Sequence, residues 1–333
     1  MNHKIAKTPF TAAVGFDGYI DKITRVVKEK ANEFHDNVFY NEISDFSLEL
    51  NSMAGLSGDL EIVTQDVIPG GNGVNIANFL AELGNDVHLI ANIEHPVFNA
   101  LHPKIKCHNY GLPGETVALE FNDGKIMLAD TTEMKKAIIS AINNNLLCEH
   151  IKKLYSTSKL CVFANWACMP EMQKLWNIAV SEVCKRSDHP KIYLDLADFS
   201  KRNDSDIKEL LGFISLIVKH ETYLGLNEKE TILLAKKLGF SKNDVMEAAR
   251  FLYDVVKVDV ITHAIGYSCY AGKYGDFITE GKTASSPIFS TGAGDSFSAA
   301  WCSAVIWGYD IPDGMSFANN AAYHFVTTGR LYE

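Results

Sequence analysis

From residue 130 onward, short runs rich in β-branched and aromatic residues alternate with longer stretches whose apolar positions recur at helical spacing. The runs at 160–164, 192–195, 222–226 and 260–264 predict strands. The stretch 206–220 predicts a helix with Ile207, Leu210, Leu211, Ile214, Ile217 and Val218 on one face, and 242–256 predicts another with Ser241 as its N-cap. Strand and helix in alternation imply a mainly parallel sheet covered by helices on both faces, an α/β fold. Nearer the N-terminus an apolar strand at 11–15 runs into a polar loop. A helix at 74–83 stops at Gly84, where a terminating glycine belongs, before a strand at 87–93.

Two stretches break the alternation. Residues 29–68 are polar and aromatic with weak periodicity, and within 112–128 the run 116–128 reads as a hairpin turning at Asn122-Asp123-Gly124. Together they predict a small β-rich flap beside the main sheet of one 1–333 domain, since no repeat or interdomain linker interrupts the chain.

Composition narrows the function. Of 333 residues, 47% are apolar and 22% charged, and no run reaches the roughly 18 to 20 apolar residues of a membrane helix. The first residues show no signal-like apolar segment, so a cytoplasmic protein is expected. A formal charge of -10 without a Lys/Arg cluster argues against nucleic acid or an anionic membrane as partner. The seven cysteines are dispersed and form no C-x-x-C, which points to neither a disulfide scaffold nor a zinc ribbon.

Three constellations carry chemistry. Ser290-Thr291-Gly292-Ala293-Gly294-Asp295 leads into an apolar helix at 298–307. Its glycines let the NH groups of Gly292, Ala293 and Gly294 converge at a positive helix end, an anion site, and Asp295 is placed to take a proton from an attacking hydroxyl. Ala299, Ala300, Ser303 and Ala304 keep that helix thin enough to sit centrally. Pro69-Gly70-Gly71-Asn72-Gly73-Val74-Asn75 allows close backbone approach and offers two neutral amides, Asn72 and Asn75, suited to sugar hydroxyls. Upstream, Asp17 or Asp21 offers a carboxylate to vicinal hydroxyls. Asn227-Glu228-Lys229-Glu230 opens a helix with an amide and a carboxylate three residues apart, able to hold a hydrated Mg²⁺ on a nucleotide or, for Glu230, simply to complement the helix dipole.

Three look-alikes are set aside. Gly281-Lys282-Thr283 lacks the spacing of a phosphate-binding P-loop, and Phe297 stands where a dinucleotide fingerprint needs its third glycine. His95, His102, Cys107 and His108 match no zinc spacing.

In this order and at these separations, the three constellations resemble the PfkB or ribokinase family of carbohydrate kinases across nearly the whole chain. The family patterns G-G-x-x-x-N, N-x-x-E and G-A-G-D appear as Gly70-Gly71 with Asn75, Asn227 with Glu230, and Gly292 to Asp295. The resemblance implies a ribokinase-like fold whose flap is a lid over the acceptor. It also implies ATP with Mg²⁺ near Glu230 through water, Asp295 as general base, and Gly70, Gly71, Asn75 and Asp21 on the sugar. Thr262, Gly266 and Asn319 match nucleotide-side positions, and Asn165 stands loosely where ribokinases carry a sugar-contacting Glu. Phe289 and Ser290 replace the Asp-Thr that begins the family signature, which puts activation by K⁺ in doubt. The expected function is ATP-dependent phosphorylation of a sugar hydroxyl, and an exposed lid edge strand would permit pairing of two copies through the lid. The alternatives are a nucleoside kinase and a non-catalytic ligand-binding regulator on the same fold.

Overall fold

The structure is a computed structural model that describes residues 6–31, 37–285, 287–288 and 291–331. The chain opens with β1 (Thr11–Phe16), then leaves the main sheet for β2 (Tyr19–Glu29), β3 (Val38–Phe39), α1 (Ile43–Ser52) and β4 (Ile62–Gly70). It returns through α2 (Asn72–Glu82) to β5 (Asp86–Ala91) and β6 (Ile105–Asn109), and leaves again for β7 (Gly114–Phe121) and β8 (Gly124–Asp130). There follow α3 (Thr132–Ile142), α4 (Asn145–Thr157), β9 (Leu160–Phe163), α5 (Met172–Val183), β10 (Lys191–Asp195), α6 (Asp204–Ile217), β11 (Thr222–Asn227), α7 (Glu228–Lys237) and α8 (Val245–Val256). The chain closes with β12 (Asp259–Ala264), β13 (Tyr267–Gly272), β14 (Gly275–Glu280), α9 (Ala293–Trp307) and α10 (Ile311–Thr328).

Nine strands form the main sheet in the order β14-β13-β12-β11-β10-β9-β1-β5-β6. All pair in parallel except β13 and β14, which turn back at one edge. Side chains of β1 alternate between faces from Ala12 to Val14, Ala12 and Val14 packing with α2, α9 and α10 and Ala13 with α3 to α8, while Phe16, at the strand's end, departs from the alternation and joins Ala13. Because β5 lies on one side of β1 and β9 on the other, the topology switches direction at β1 and a crevice opens beyond its carboxyl end. Helix α9 is buried from Asp295 through Val305, and its small residues let it lie between α2 and α10. It starts at Ala293, five residues ahead of the expected 298.

The other excursions build a second sheet, β3-β2-β7-β8 with β4 on the free edge of β2. It begins earlier than the stretch beginning at 29: β2 starts at Tyr19, inside what reads as a polar loop. Asp21, Lys22, Thr24 and Arg25 hide the strand from a hydrophobicity reading, yet it pairs with β4 and β7 at once. Phe121 and Gly124 face each other across the two-residue turn Asn122-Asp123.

Two helix ends move for local reasons. Helix α6 starts at Asp204, where Asn203 and Asp206 bond reciprocally to each other's backbone NH, and stops at Ile217. Val218 is therefore an exposed cap, and Phe213 joins the core in its stead. Helix α8 starts at Val245, capped by Asp244 rather than Ser241, with the Asp244 carboxylate accepting from the Glu247 NH at 2.8 Å.

Far from the crevice, His88 on β5, His108 on β6 and His150 on α4 form a chain. His108 bonds His88 through Nε2 and His150 through Nδ1, each at 2.9 Å. Burial first, and the neighbouring imidazoles and Lys106 second, push His108 down to about 4 and lower His88 as well. The unfolded chain, with ordinary histidines near 6.5, therefore binds more protons between about 6.5 and 4. The stability this chain contributes is whole above 6.5 and is lost as pH falls through that window. In urea titrations at pH 5, the slope of unfolding free energy against pH should be about one proton smaller in His108→Asn than in the unsubstituted protein. An unchanged slope would show that the chain titrates normally.

No helix among the described residues is long and apolar enough to cross a membrane. All seven cysteines are free thiols.

Candidate active site

The candidate residues gather beyond the carboxyl ends of the parallel strands. Asp17 follows β1, Asn165 follows β9, Asp195 ends β10 and Asn227 ends β11, while α2 and α9 point their N-termini into the same crevice. This is where a parallel sheet presents its unpaired strand ends and positive helix ends together.

The first turn of α2 joins three carboxylates from three elements. Asn72 Nδ2 donates to both oxygens of Asp195 at 3.3 and 3.2 Å, the Gly73 NH to Asp17 Oδ1 at 2.8 Å, and Asn75 Nδ2 to Asp295 Oδ2 at 2.8 Å. Asn165, held in the left-handed region at φ 54°, donates to the other Asp17 oxygen at 2.9 Å. Gly71 carries φ 106°, and a Cβ there would lie 2.7 Å from Asp17 Oδ2. A Cβ on Gly70 would fall 2.2 Å from Asp21 Oδ2. Asp21 stands on β2 opposite Thr116 of β7, whose side chain bonds it. The glycines thus leave the room that two acidic side chains fill.

Charge in this crevice is unbalanced. Burial raises Asp17 and Asp21, pushes Asp195 up to about 6 and Glu230 up to about 7, and lifts Asp295 well above the carboxylate range. After burial, the Asp195 charge is the largest contributor at Asp295, while the Asn75 amide pulls the other way. A cation approaches from the second sheet: Lys125 of β8 bonds the Thr291 hydroxyl and faces the charges of Glu120, Asp21 and Asp295. Burial lowers this ammonium from its ordinary value.

Helix α9 has Gly292 as its N-cap, at φ 88°, with no side-chain cap on its first turn. Its NH end opens on a cavity of about 590 Å³. Asn227, His263, Gly266, Ala293, Gly294 and Asn319 are among the residues along its wall. Asn319 is braced by a bond from Nδ2 to the Thr279 carbonyl at 3.2 Å. Thr262, expected on the nucleotide side, does not line it. Its side chain points to the other face of the sheet and shares a 2.8 Å hydrogen bond with Thr231.

Asn227 and Glu230 cap one another, Glu230 Oε2 accepting from the Asn227 NH at 3.0 Å and Asn227 Oδ1 from the Glu230 NH at 2.9 Å. Each keeps one polar atom outside this pair, Glu230 Oε1 and Asn227 Nδ2. Among the described residues no three His, Cys, Asp or Glu side chains form a group that would hold a metal by themselves. The donor set does suit a hard divalent cation shared with phosphate and water: it offers oxygen, and the crevice gathers more buried carboxylates than Lys125 offsets.

Several site residues escape a sequence reading. Asp195 has no motif, though its place at the end of a predicted strand is a usable signal. Lys125 reaches the crevice only because the second sheet folds over it. Gly281, Lys282 and Thr283, rejected as a P-loop, do line the cavity, as the segment after β14. His95 and His102 accept from the local NH groups of Val97 and Lys104, each at 3.2 Å. Phe289 and Ser290 lie outside the described residues.

The crevice at the switch point, with buried Asp295 beside the first turn of α9, lies in a ribokinase-like fold, and the protein is a carbohydrate kinase. Ribokinase of Thermotoga maritima has the same fold, with a TM-score of 0.64 at 20% identity over 96% of this chain and 93% of that one. So has the nucleoside kinase of Burkholderia thailandensis in complex with inosine, with a TM-score of 0.60 at 15% identity over 95% and 91%. The chain belongs to the prokaryotic ketohexokinase family, whose profile matches residues 7–331. It is 24% identical over 328 residues to a ketohexokinase of Haloferax volcanii, covering 95% of this chain and 86% of that protein.

Proposed function

We propose that the protein transfers the γ-phosphoryl group of ATP to a hydroxyl of a ketohexose, with Asp295 as general base. The observation that carries this reading is the position of Asp295. It is buried at the start of α9, held through one oxygen by Asn75, between the Asp17 pocket and the cavity at the helix end. Its free Oδ1 takes the acceptor's proton, and a carboxylate raised by burial is the better base. The NH groups of Gly292, Ala293 and Gly294 form the anion hole. Asp17, Asp21, Gly70, Gly71, Asn72, Asn75 and Asn165 line the acceptor side, where Asp195 fixes Asn72. The second sheet is the lid. Asn227 and Glu230 face the nucleotide, with Gly266 and Asn319 on its wall, and Glu230 would hold Mg²⁺ through water. Bound with ATP, the cation offsets phosphate charge.

Lys125 gives the lid a share in the chemistry. A cation tied to Thr291 lies against the loop that handles the transferring group. Lys125→Met should lower kcat about 10- to 100-fold with a smaller change in KM, and Lys125→Arg should recover most of it; initial-rate kinetics of the three proteins decide. Equal kcat in all three would remove Lys125 from the reaction.

An ADP-release assay with Mg-ATP and a panel of ketohexoses, aldoses, ribose and nucleosides tests the assignment. A ketohexose should give the highest kcat/KM. Preference for a nucleoside would favour the reading suggested by the Burkholderia neighbour, and stabilisation by ligands without turnover would mark a binding protein. Exposed Val67, Met127 and Leu128 on the lid support pairing of two copies, which sedimentation velocity reads directly. A cytoplasmic setting accords with the free thiols.

A further inference from the structure

We propose that His263 is a phosphate-binding residue of the nucleotide site, its imidazole donating a hydrogen bond to the phosphate chain beside the anion hole. This rests on the reading of the 590 Å³ cavity as the nucleotide's.

Strand β12 presents Thr262 to α7 and, by alternation, His263 to α9. There the imidazole lies under the first turn of α9. A Cβ on Gly294 would stand 2.9 Å from its Cε1 and 3.2 Å from its Nε2, and the Phe297 ring packs beside it with centroids 5.5 Å apart. In the sheet, His263 is the register partner of Asn227. One half-buried ring thus touches the glycine of the anion turn and neighbours the residue that opens α7.

Neither ring nitrogen has a hydrogen-bond partner among the described residues, and burial alone holds the ring neutral, down to about 4. A neutral imidazole carries one N–H donor. The half-buried ring lines the cavity, so that donor is within reach of a ligand bound there. The apolar wall formed by Ile265, Tyr267, Ala322 and Val326 suits a base, whereas the Gly294 end of the cavity offers NH groups and the Asn227 amide. An anionic oxygen is the acceptor that matches that end, and phosphate bonds of this kind are the stronger charge-assisted sort.

The experiment compares ADP with adenosine. Isothermal titration is run on the full-length protein and on His263→Leu and His263→Gln, with thermal melts to show that each is folded. His263→Leu should bind ADP about ten- to a hundredfold more weakly and adenosine within about twofold of the unsubstituted protein. His263→Gln, whose Nε2 can occupy the same place, should recover part of the ADP affinity. Equal losses for both ligands, or none, would overturn the proposal and leave the cavity reading standing. Failure of the unsubstituted protein to bind ADP would overturn both. Should His263→Leu not fold, NMR titration of the His263 ring answers alone: ADP must raise its midpoint and adenosine must not, and identical midpoints contradict the proposal.

Discussion

Asp295→Asn should lower kcat about 10²- to 10⁴-fold while ADP binds as before and the ligand-free protein melts at a higher temperature. The two effects share one cause. Asp295 is buried with Asp195, Asp17 and Glu230 acting on it, and the Asn75 amide and Lys125 oppose them. The neutral amide keeps the shape and can still face Asn75, but it accepts no proton from the acceptor hydroxyl. The sign of the stability change follows from the raised carboxyl. At pH 7.5 the unfolded chain ionises Asp295 freely and the folded one resists, so the native residue destabilises. As pH falls below the ordinary carboxylate range near 4, both states are protonated and the advantage of Asn disappears. Steady-state rates, ADP titration and melts at pH 7.5 and pH 4 check all three. Near-native turnover would remove Asp295 as the base, and a lower melting temperature at pH 7.5 would contradict the electrostatic account.

Gly71→Ala should cut kcat/KM for the acceptor by about 10²-fold or more, with ADP affinity within twofold of native. At φ 106° an alanine is strained by about 1 to 3 kcal/mol, and its methyl would lie 2.7 Å from Asp17 Oδ2 and 3.3 Å from the Gly18 Cα. Relief requires moving either the Asp17 carboxylate, held by Gly73 and Asn165, or the first turn of α2, held to Asp195 and Asp295. Either shift disorders the acceptor side and leaves the far cavity alone. Acceptor saturation curves and ADP titration of the variant separate the two sides. Loss of ADP binding in a folded variant would show that the crevice does not divide this way.

What could be read from the chain was what lies close together along it. Gly70 to Asn75, Asn227 to Glu230 and Gly292 to Asp295 are each contained in one turn, so their chemistry shows in adjacent letters. The parallel sheet was legible because its central strands are apolar on both faces. Strand β2 was not, because Asp21, Lys22, Thr24 and Arg25 mask its period. Asp195, Lys125 and His263 owe their places to approaches across 123, 166 and 31 residues, to Asn72, Thr291 and Gly294 respectively, and no local pattern marks such meetings. Thr262 misled for a simpler reason: alternation turns it to the wrong face of β12, and its neighbour takes the cavity. The box between Asn227 and Glu230 sets the carboxylate in the first turn of α7, where it complements the helix dipole, and leaves Glu230 Oε1 outside the capping pair.

The most direct test of phosphoryl transfer to a ketohexose is phosphorus NMR of the protein with Mg-ATP and D-fructose, followed in time. The γ-phosphate resonance should decline as a sugar phosphomonoester and ADP grow in equal amounts. Release of the γ-phosphate as inorganic phosphate alone, or an unchanged ATP spectrum with fructose while a nucleoside is phosphorylated, would contradict the account.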